Sequence, residues 1–372
     1  MRIKDVVNLC NVKTDDHSKP YVALENIESW NSKFIPSESV SEGMNNVFDA
    51  GDILFGKLRP YLAKAYIPNF DGICSTEFFV LKPKKGFDSR YLLYRLLMPS
   101  FIWYINSRVT GVKMPRTNWN DFSNVEIDIP SLPVQRRIVS YLDSKTSEID
   151  QAISLLERKR EAYTRLKASV INRAVTRGLN PNVKLKDSGV EWIGRIPEEW
   201  KVKHFKRLMS IRNGSDYKHV ISDDGYPVIG SGGIFEHASQ YLYDGEVLLL
   251  GRKGTIDKPL YFSGKFWTVD TMFYCVPNKD VCCKYMYYQA LIVPLLKYST
   301  QTALPSMTMI SLNYIPYCVP PLTEQRSIAS YLDAECSKID RAASIVEKQI
   351  DAYKRLKRSL INEVVTGKRK VD

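Results

Sequence analysis

The sequence predicts an α+β fold: two mixed α/β globules are joined by two long helices that pair as a coiled coil, with an internal repeat. Three observations predict this fold. A segment of the chain recurs after 190 residues, each copy carries an apolar heptad series, and the segments around the copies contain short β-like runs. The length of 372 residues, with 44% hydrophobic and 25% charged residues, is typical of a globular chain with two or three domains.

The repeat begins with a paired motif. Residues 130–143 read PSLPVQRRIVSYLD and residues 320–333 read PPLTEQRSIASYLD, which gives P-x-L-x-x-Q-R-x-I-x-x-Y-L-D in both. The register then continues without a gap to the Val-Thr pairs at 175–176 and 365–366. Composition shared by two unrelated surface helices, each packed on its own globule, is the alternative explanation, and the gapless register argues against it.

Each copy is predicted to be one long helix, because prolines precede it, a glycine follows it, and neither residue occurs between. About 40 residues at a rise of about 1.5 Å per residue make a helix on the order of 60 Å long. Its apolar stripe needs a partner, and the other copy is the obvious one. Further apolar residues, such as Leu166 and Leu356, fall at d- or e-like spacing from the heptad series, and we expect them to lie beside it. The predicted seam residues are Leu142, Ile149, Leu156, Tyr163 and Val170 in the first helix, and Leu332, Ile339, Val346, Tyr353 and Leu360 in the second.

The segments around the helices are rich in aromatic residues and glycine, and they match each other faintly. Residues 49–59 align with 243–253, and 110–115 align with 300–305. Nearly duplicated helices beside diverged globules indicate a shared mechanical role for the helices and a separate ligand for each globule. The predicted boundaries are globule one at 1–130, helix one at 131–178, a linker at 179–195, globule two at 196–319, and helix two with a basic tail at 320–372.

The net charge of +12 indicates a polyanionic partner, since neutralising phosphates supplies most non-specific affinity for nucleic acid. The seven cysteines form no C-x-x-C pair, which favours a reduced chain without a disulfide framework or zinc cage. No apolar run reaches the ~18 residues of a membrane span. We therefore expect a cytoplasmic protein that binds nucleic acid and no membrane.

Catalytic motifs are weak throughout. The segment 51–57 fits G-x-x-x-x-G-K, but Leu58 follows where a P-loop requires Ser or Thr. The four histidines lack the spacing of metal ligands, and the Pro-Pro pair at 320–321 lacks the flanking residues of an adenine-methyltransferase motif. We expect no catalytic residues, no metal site and no cofactor in this chain.

Residues that read DNA should be basic or amide-bearing side chains in loops that follow strands. Each candidate could instead be a solvated loop residue. The candidates in the first globule are Lys57, Arg59, Tyr61, Arg108, Lys113 and Arg116. Those in the second are Arg252, Lys253, Gln301, Thr302 and Ser306, with Arg212 and Asn213 as a weaker pair.

On the paired motif, the globule–helix alternation and the phrase at 178–200 entering the second globule, the chain resembles the specificity subunit (HsdS) of type I restriction-modification systems. The strip 187–202 has no counterpart ahead of the first globule. The resemblance implies two target recognition domains that read the halves of a split, asymmetric target in double-stranded DNA. It also implies that the two helices space these domains as an antiparallel coiled coil, with a pseudo-two-fold internal repeat. The alternative is a stand-alone coiled-coil DNA-binding regulator without methyltransferase partners.

The resemblance also implies partners. Two modification subunits would use S-adenosylmethionine to methylate adenine N6, and restriction subunits would use ATP and magnesium, while the specificity chain itself is not an enzyme. The polar helix faces at 157–161 and 347–351, with Ile350 exposed among them, are expected to remain available for these partners.

Overall fold

The computed structural model describes residues 1–39, 41, 43–111, 113–300 and 305–371, so Gln301 and Thr302 lie outside the described residues. The helices are α1 Ile3–Val6, α2 Ser89–Leu96, α3 Pro99–Asn106, α4 Trp119–Ser123, α5 Leu132–Arg177, α6 Cys283–Ala290, α7 Met309–Asn313 and α8 Leu322–Val365. The strands before α5 are β1 Val7–Cys10, β2 Lys13–Thr14, β3 Tyr21–Val22, β4 Asn45–Phe48, β5 Ile53–Gly56, β6 Ala65–Tyr66, β7 Gly72–Cys74 and β8 Phe78–Pro83. Those after α5 are β9 Leu185–Asp187, β10 Arg195–Pro197, β11 Lys201–His204, β12 Met209–Asn213, β13 Ile221–Gly230, β14 Gly233–Ala238, β15 Tyr243–Gly251, β16 Leu260–Thr268, β17 Met272–Pro277 and β18 Pro316–Val319.

The chain divides into two compact units, each made of one globule and half of each long helix. Unit 1 is Met1–Leu156 with Lys348–Asp372, and unit 2 is Glu157–Glu347. Unit 1 holds two four-stranded sheets, ordered β1-β8-β5-β6 and β2-β4-β7-β3. Unit 2 holds a six-stranded sheet, ordered β12-β17-β15-β16-β13-β14, and two-stranded pairs β9–β10 and β11–β18. The pairings β5–β8 in unit 1 and β15–β17 in unit 2 are both antiparallel and form the matching centres of the two globules.

The two long helices lie side by side and antiparallel within each unit. In unit 2, Arg160 binds Glu347 and Lys167 binds Asp340, so the first helix advances while its partner runs back. In unit 1, Lys357 binds Asp150. Asp150 and Asp340 are equivalent in the repeat, as are Lys167 and Lys357, so each unit contains the same ion pair with the helices exchanged. The predicted fold class is confirmed.

The duplicated motif docks the start of each long helix on its own globule. The buried Gln135 side chain donates to the Pro130 carbonyl at 2.8 Å and accepts from the backbone N–H of Asp88 at 2.9 Å, at the N-terminus of α2. Gln325 makes the equivalent bonds to the Pro320 carbonyl and the Cys282 N–H, each at 2.9 Å, at the N-terminus of α6. The glutamine is retained because it satisfies backbone groups that burial would otherwise leave unpaired.

The aspartate that ends the motif makes a second tie to the same short helix. Asp143 accepts from Tyr94 at 2.7 Å and pairs with Arg90. Burial raises the pKa of Tyr94 to about 12, so the phenol remains a donor at neutral pH. In unit 2, Asp333 accepts from Tyr288 at 2.7 Å and pairs with Lys284. Burial and this hydrogen bond likewise raise the pKa of Tyr288.

The seam follows the predicted stripe only in part. Leu142, Ile149, Leu332, Ile339, Val346 and Leu360 are buried, whereas Leu156, Tyr163 and Val170 are half-buried. Tyr353 is 37% exposed, and the companions Leu166 and Leu356 are about half exposed, which differs from the prediction.

Ile350, which the sequence placed on the exposed face, is instead buried at 1% exposure, and Glu347 on the same face is paired with Arg160. Ile350 lies about one helical turn after the buried Val346, so both side chains lie on the same face of the helix.

The helix ends follow the sequence closely. The first long helix was predicted at 131–178 and begins and ends at Leu132 and Arg177. Gly178 follows in the left-handed region with a φ of 72°, which favours glycine as the residue after a helix. The second helix ends at Val365, shortly before Gly367 with a φ of 73°.

Candidate nucleic-acid interface

The first cluster of candidate residues is assembled by backbone hydrogen bonds at the end of β5. The Lys57 N–H donates to the carbonyl of Glu77 at 2.9 Å, and the Lys57 carbonyl accepts from Thr117 at 3.0 Å. The Arg59 N–H donates to the Pro115 carbonyl at 2.7 Å. The strand end and the loop that holds Pro115 and Thr117 are thereby joined, so the candidates Lys57, Arg59 and Arg116 lie together.

Two cations in this first cluster are held by neighbours that the sequence did not single out. The Arg116 guanidinium forms an ion pair with Glu77, with its Nη2 3.0 Å from Oε1 and its Nε 3.1 Å from Oε2. The Glu77 carboxylate raises the pKa of Arg116. The Lys57 ammonium lies 5.6 Å from the centre of the Phe79 ring. Glu77 and Phe79 therefore fix the directions of two candidate readers.

The remaining candidates of the first globule lie around this cluster. Arg59 has a left-handed backbone, with a φ of 51°, and leads into a short 3-10 turn that presents Tyr61, which is 44% exposed. The Arg108 guanidinium lies 4.5 Å from the Tyr104 ring, at the end of α3. Lys113 is exposed in the loop at 107–117. The structure thus places every candidate of the first globule at the surface, and Arg108 is held by its own aromatic neighbour.

The second cluster is built in the same way at the end of β15. The Arg252 N–H donates to Thr271 at 2.8 Å, its carbonyl accepts from Met307 at 2.9 Å, and the Gly254 N–H donates to Pro305 at 3.0 Å. The Arg252 guanidinium lies 5.8 Å from the Phe273 ring. These contacts repeat those of the first cluster with a cation over an aromatic ring of the neighbouring strand.

A cleft of about 330 Å³ opens at the second cluster. It brings together the predicted candidates Arg252, Lys253 and Ser306 with Asn213 of β12. The sequence missed Phe273 and Thr308, which also line the cleft. An aromatic residue recurs in the strand beside each cation, Phe79 beside Lys57 and Phe273 beside Arg252. This recurrence is the sequence signal that could have identified Phe273.

The two clusters correspond residue by residue, with one shift from the sequence alignment. The alignment sets Lys57 against Gly251, but the shared hydrogen bonds set Lys57 against Arg252. In the same way Arg116 corresponds to Ser306, and Glu77 to Thr271. The first cluster therefore holds an arginine–carboxylate pair where the second holds two hydroxyl side chains.

No helix in the described ranges is long and apolar enough to cross a membrane. No group of three or more His, Cys, Asp or Glu side chains within that part of the chain could hold a metal ion.

The chain is similar to proteins of one family along most of its length. The family model described as type I restriction modification DNA specificity domain matches residues 1–158 and 197–350. A type I restriction enzyme MjaVIII specificity subunit from Methanocaldococcus jannaschii is 24% identical, covering 95% of this chain and 86% of that protein. The EcoDI specificity subunit from Escherichia coli is 26% identical over 41% of this chain, a match that spans 36% of that relative's length.

A solved structure described as the structural basis of complex assembly and conformational transition of the type I R-M system has the same fold. It superposes with a TM-score of 0.75 at 18% identity, covering 98% of this chain and 96% of that one. The prediction that the chain is not an enzyme on its own agrees with a family of specificity domains. As the paired motif predicted, the chain belongs to the family of type I restriction modification DNA specificity domains.

Proposed function

We propose that the chain is the DNA sequence-specificity subunit of a type I restriction-modification complex, reading a split, asymmetric target with two recognition domains at 1–130 and 196–319. The observation that carries this is the pair of matching clusters. Each globule presents basic or polar side chains on the same hydrogen-bonded frame, at a strand end where loops meet. Because the frame recurs while the side chains differ, the two half-sites should differ in sequence.

The readers in this proposal are the residues of the two clusters. In the first, Arg116 held by Glu77 offers a fixed guanidinium fork, which suits the O6 and N7 acceptors of guanine. In the second, Ser306 and Asn213 offer neutral hydrogen-bonding groups beside Arg252. Lys113 and Lys253 suit phosphate contacts, as does Tyr61. Gln301 and Thr302 remain candidates by their place in the sequence.

Methylome sequencing of a host that carries the complete complex would give the target. Arg116→Ala should relax one position of one half-site, whereas Lys113→Ala should weaken methylation at all sites alike. An unchanged target in Arg116→Ala, or changes in both half-sites at once, would contradict the assignment of this cluster to one half-site.

The long helices set the spacing in this proposal, because each unit contains an antiparallel portion of both. Inserting one helical turn of about four residues after Arg177, where α5 ends, should lengthen the non-specific spacer and leave both half-sites unchanged. The control is the same insertion in the exposed turn at Gly86, which should leave the spacer as it is. A spacer that stays constant in the first variant would exclude a spacing role.

Two modification subunits, and restriction subunits beyond them, are the proposed protein partners. Their S-adenosylmethionine, ATP and magnesium would belong to those subunits. Support for two copies comes from exposed leucine and isoleucine side chains on the long helices. Each unit has one pair of them: Leu155 and Leu356 in unit 1, and Leu166 and Ile345 in unit 2. The internal repeat relates the two pairs, since Leu155 is equivalent to Ile345 and Leu356 to Leu166.

Native mass spectrometry of the chain mixed with modification subunits tests this stoichiometry. The wild type should bind two copies, and Leu155→Asp with Leu356→Asp should bind one, because charge on an apolar contact opposes docking. The matched control is Val12→Asp with Ile35→Asp, which changes equally exposed apolar residues of the same unit away from the helices. Loss of both copies, or of neither, would contradict separate sites in the two units.

Footprinting the purified chain with and without modification subunits separates this proposal from a stand-alone regulator. The scaffold should need its partners for a stable footprint over both half-sites. A complete footprint by the chain alone would favour the regulator.

A further inference from the structure

Each unit contains a groove between one short helix and the two long helices. The short helix is α2 in unit 1 and α6 in unit 2, and the two grooves occupy equivalent positions in the internal repeat. The first groove, in unit 1, is lined by Leu93, Tyr94, Leu97, Thr146, Asp150 and Lys357. The second groove, in unit 2, is lined at the equivalent positions by Tyr287, Tyr288, Leu291, Cys336, Asp340 and Lys167. The correspondence follows from the shared contacts of α2 and α6 with the helix motif and from the shared lysine–aspartate pair.

The chain's own loop at 28–34 occupies part of the first groove. Trp30 packs against the core of unit 1 and lines the groove together with Asn31. The Asn31 side-chain oxygen accepts a hydrogen bond from the Lys357 ammonium, which also binds Asp150 at 2.7 Å. An aromatic ring and a neighbouring carboxamide oxygen are therefore the groups that complete this groove.

The loop holds a backbone conformation that it would not adopt by itself. Trp30 and Ser32 have φ values of 65° and 52°, in the left-handed region that bulky residues rarely enter. The Trp30 N–H donates to the Ala63 carbonyl at 3.2 Å, and the Asn31 side chain donates to Glu28 at 2.8 Å. Such strain persists only where surrounding contacts impose it, so the contacts of Trp30 and Asn31 with unit 1 hold the loop in this conformation.

The second groove has equivalent walls, and no loop of the described residues lies in it. Among the described residues, all that line it belong to α5, α6, the residue after α6, and α8. Its volume is about 450 Å³, against about 210 Å³ for the first groove. The Lys167 side chain is 34% exposed where that of Lys357 is 14% exposed, and Leu291 on the wall is 37% exposed. Lys167 binds Asp340, and an ammonium group has three donors to offer.

We propose that the second groove binds a loop of a partner protein that carries a tryptophan followed by a carboxamide residue, in the place that Trp30 and Asn31 occupy in unit 1. The ring would pack on Tyr287 and Leu291, and the amide oxygen would accept from Lys167. A second copy of this chain is the weaker candidate, because its Trp30 is already seated in its own first groove. The proposal concerns a protein contact and does not depend on how the globules read DNA.

The test uses the chain's own segment as a surrogate for the partner loop. A synthetic peptide of residues 27–35, with 5-fluorotryptophan at the position of Trp30, is titrated with the full-length chain and followed by ¹⁹F NMR. We expect saturable line broadening with a Kd of about 1 mM or tighter, which corresponds to about 4 kcal/mol. An unlabelled peptide with alanine in place of the tryptophan should fail to compete.

Variants locate the binding site. Leu291→Arg should weaken binding roughly tenfold or more, a loss of about 1.4 kcal/mol, because it places a charge where the ring packs. Lys167→Met should weaken it by a smaller factor. Leu296→Arg is the matched control, since Leu296 is an exposed leucine of the same segment that does not line the groove, and it should bind as the wild type does.

A Trp30→Ala chain supplies a positive control, because emptying the first groove should raise the number of peptides bound from one to two. No saturable binding by the wild-type chain up to about 10 mM peptide, above the expected Kd, would overturn the proposal. Equal binding by Leu291→Arg and Leu296→Arg would overturn it too. A wild-type dimer in sedimentation that dissociates in Trp30→Ala would assign the groove to a second copy instead.

Discussion

The two units use one frame for two purposes, and the difference between them lies in the side chains that the frame presents. At the candidate reading clusters, the same three backbone hydrogen bonds join a strand end to a loop, yet Arg116 and Glu77 in unit 1 give way to Ser306 and Thr271 in unit 2. At the helix starts, by contrast, Gln135 and Gln325 make identical bonds. Positions that dock the helices are retained, and positions that face outward have diverged.

The repeat is clear in the long helices and faint in the globules, because buried and exposed positions differ in the replacements that they tolerate. A buried glutamine with two backbone partners tolerates few replacements, because each replacement leaves buried polar groups unpaired. An exposed loop residue bonded through its backbone tolerates many. The units therefore share a scaffold, and equivalent substitutions in the two copies should have equal effects on stability.

The largest effect is expected at the motif leucines. Leu142 and Leu332 are both fully buried, each under the globule of its own unit. Leu142→Ala and Leu332→Ala should each lower the free energy of unfolding by about 3 kcal/mol, through lost burial and the cavity left behind. Urea titration followed by circular dichroism measures the loss. Costs that differ by more than about 2 kcal/mol would show that the two docking contacts are not equivalent.

A smaller and again equal loss is expected at the motif glutamines. Gln135→Ala leaves the Pro130 carbonyl and the Asp88 N–H without their partner, and Gln325→Ala does the same at Pro320 and Cys282. Each should cost about 2 kcal/mol. Hydrogen exchange at the first turns of α2 and α6 locates the effect, since only the helix of the altered unit should lose protection. Exchange that rises in both units would contradict independent docking.

Much of this scaffold could be predicted from the sequence, because it rests on local signals. The gapless register located both long helices to within a few residues, and the glycines after them mark the observed ends. The pairing of the two helices followed from the need of each apolar stripe for a partner, and their antiparallel direction followed from the family resemblance. Leu166, Leu356 and Tyr353 are more exposed than predicted, because a heptad count finds apolar positions but does not decide how far the partner helix covers each of them.

The clusters and grooves were harder to predict, because they depend on contacts between distant segments. Lys57 and Arg116 were named as candidates, but nothing in the sequence shows that Glu77 holds the arginine or that the frame shifts the alignment from Gly251 to Arg252. The loop at 28–34 carries no motif, and its role became visible only when Trp30 was seen beside α2. Such sites lie where elements with no sequence relation meet.

The contact between Tyr94 of α2 and the motif aspartate Asp143 should respond to alkali. Tyr94 is protonated in the fold with its pKa raised to about 12, from an ordinary value of 10.0. A raised pKa means that its contribution to stability is complete below pH 10 and is lost as the pH rises toward 12. Tyr94→Phe should cost about 1 kcal/mol at pH 8 and should abolish this share of the alkaline loss. Urea titrations at pH 8 and pH 11 measure both, and an identical alkaline loss in the variant would contradict the assignment.

The smallest effects are expected at Lys357 and Lys167, and here the two units should differ in the stability that they lose. Lys357 and Lys167 hold equivalent aspartates, but only Lys357 also binds Asn31 under the loop at 28–34. Lys357→Met should therefore destabilise unit 1 by about 1 kcal/mol, since it leaves the half-buried Asn31 oxygen without this donor. Lys167→Met removes an exposed ion pair and should cost less than about 0.5 kcal/mol. Urea titration of both variants at low and high salt separates the two causes: salt should weaken the Lys167 contribution and leave most of that of Lys357. Equal costs would mean that the loop adds nothing to the lysine contact, and the contrast between the filled and the open groove would then lose its energetic basis.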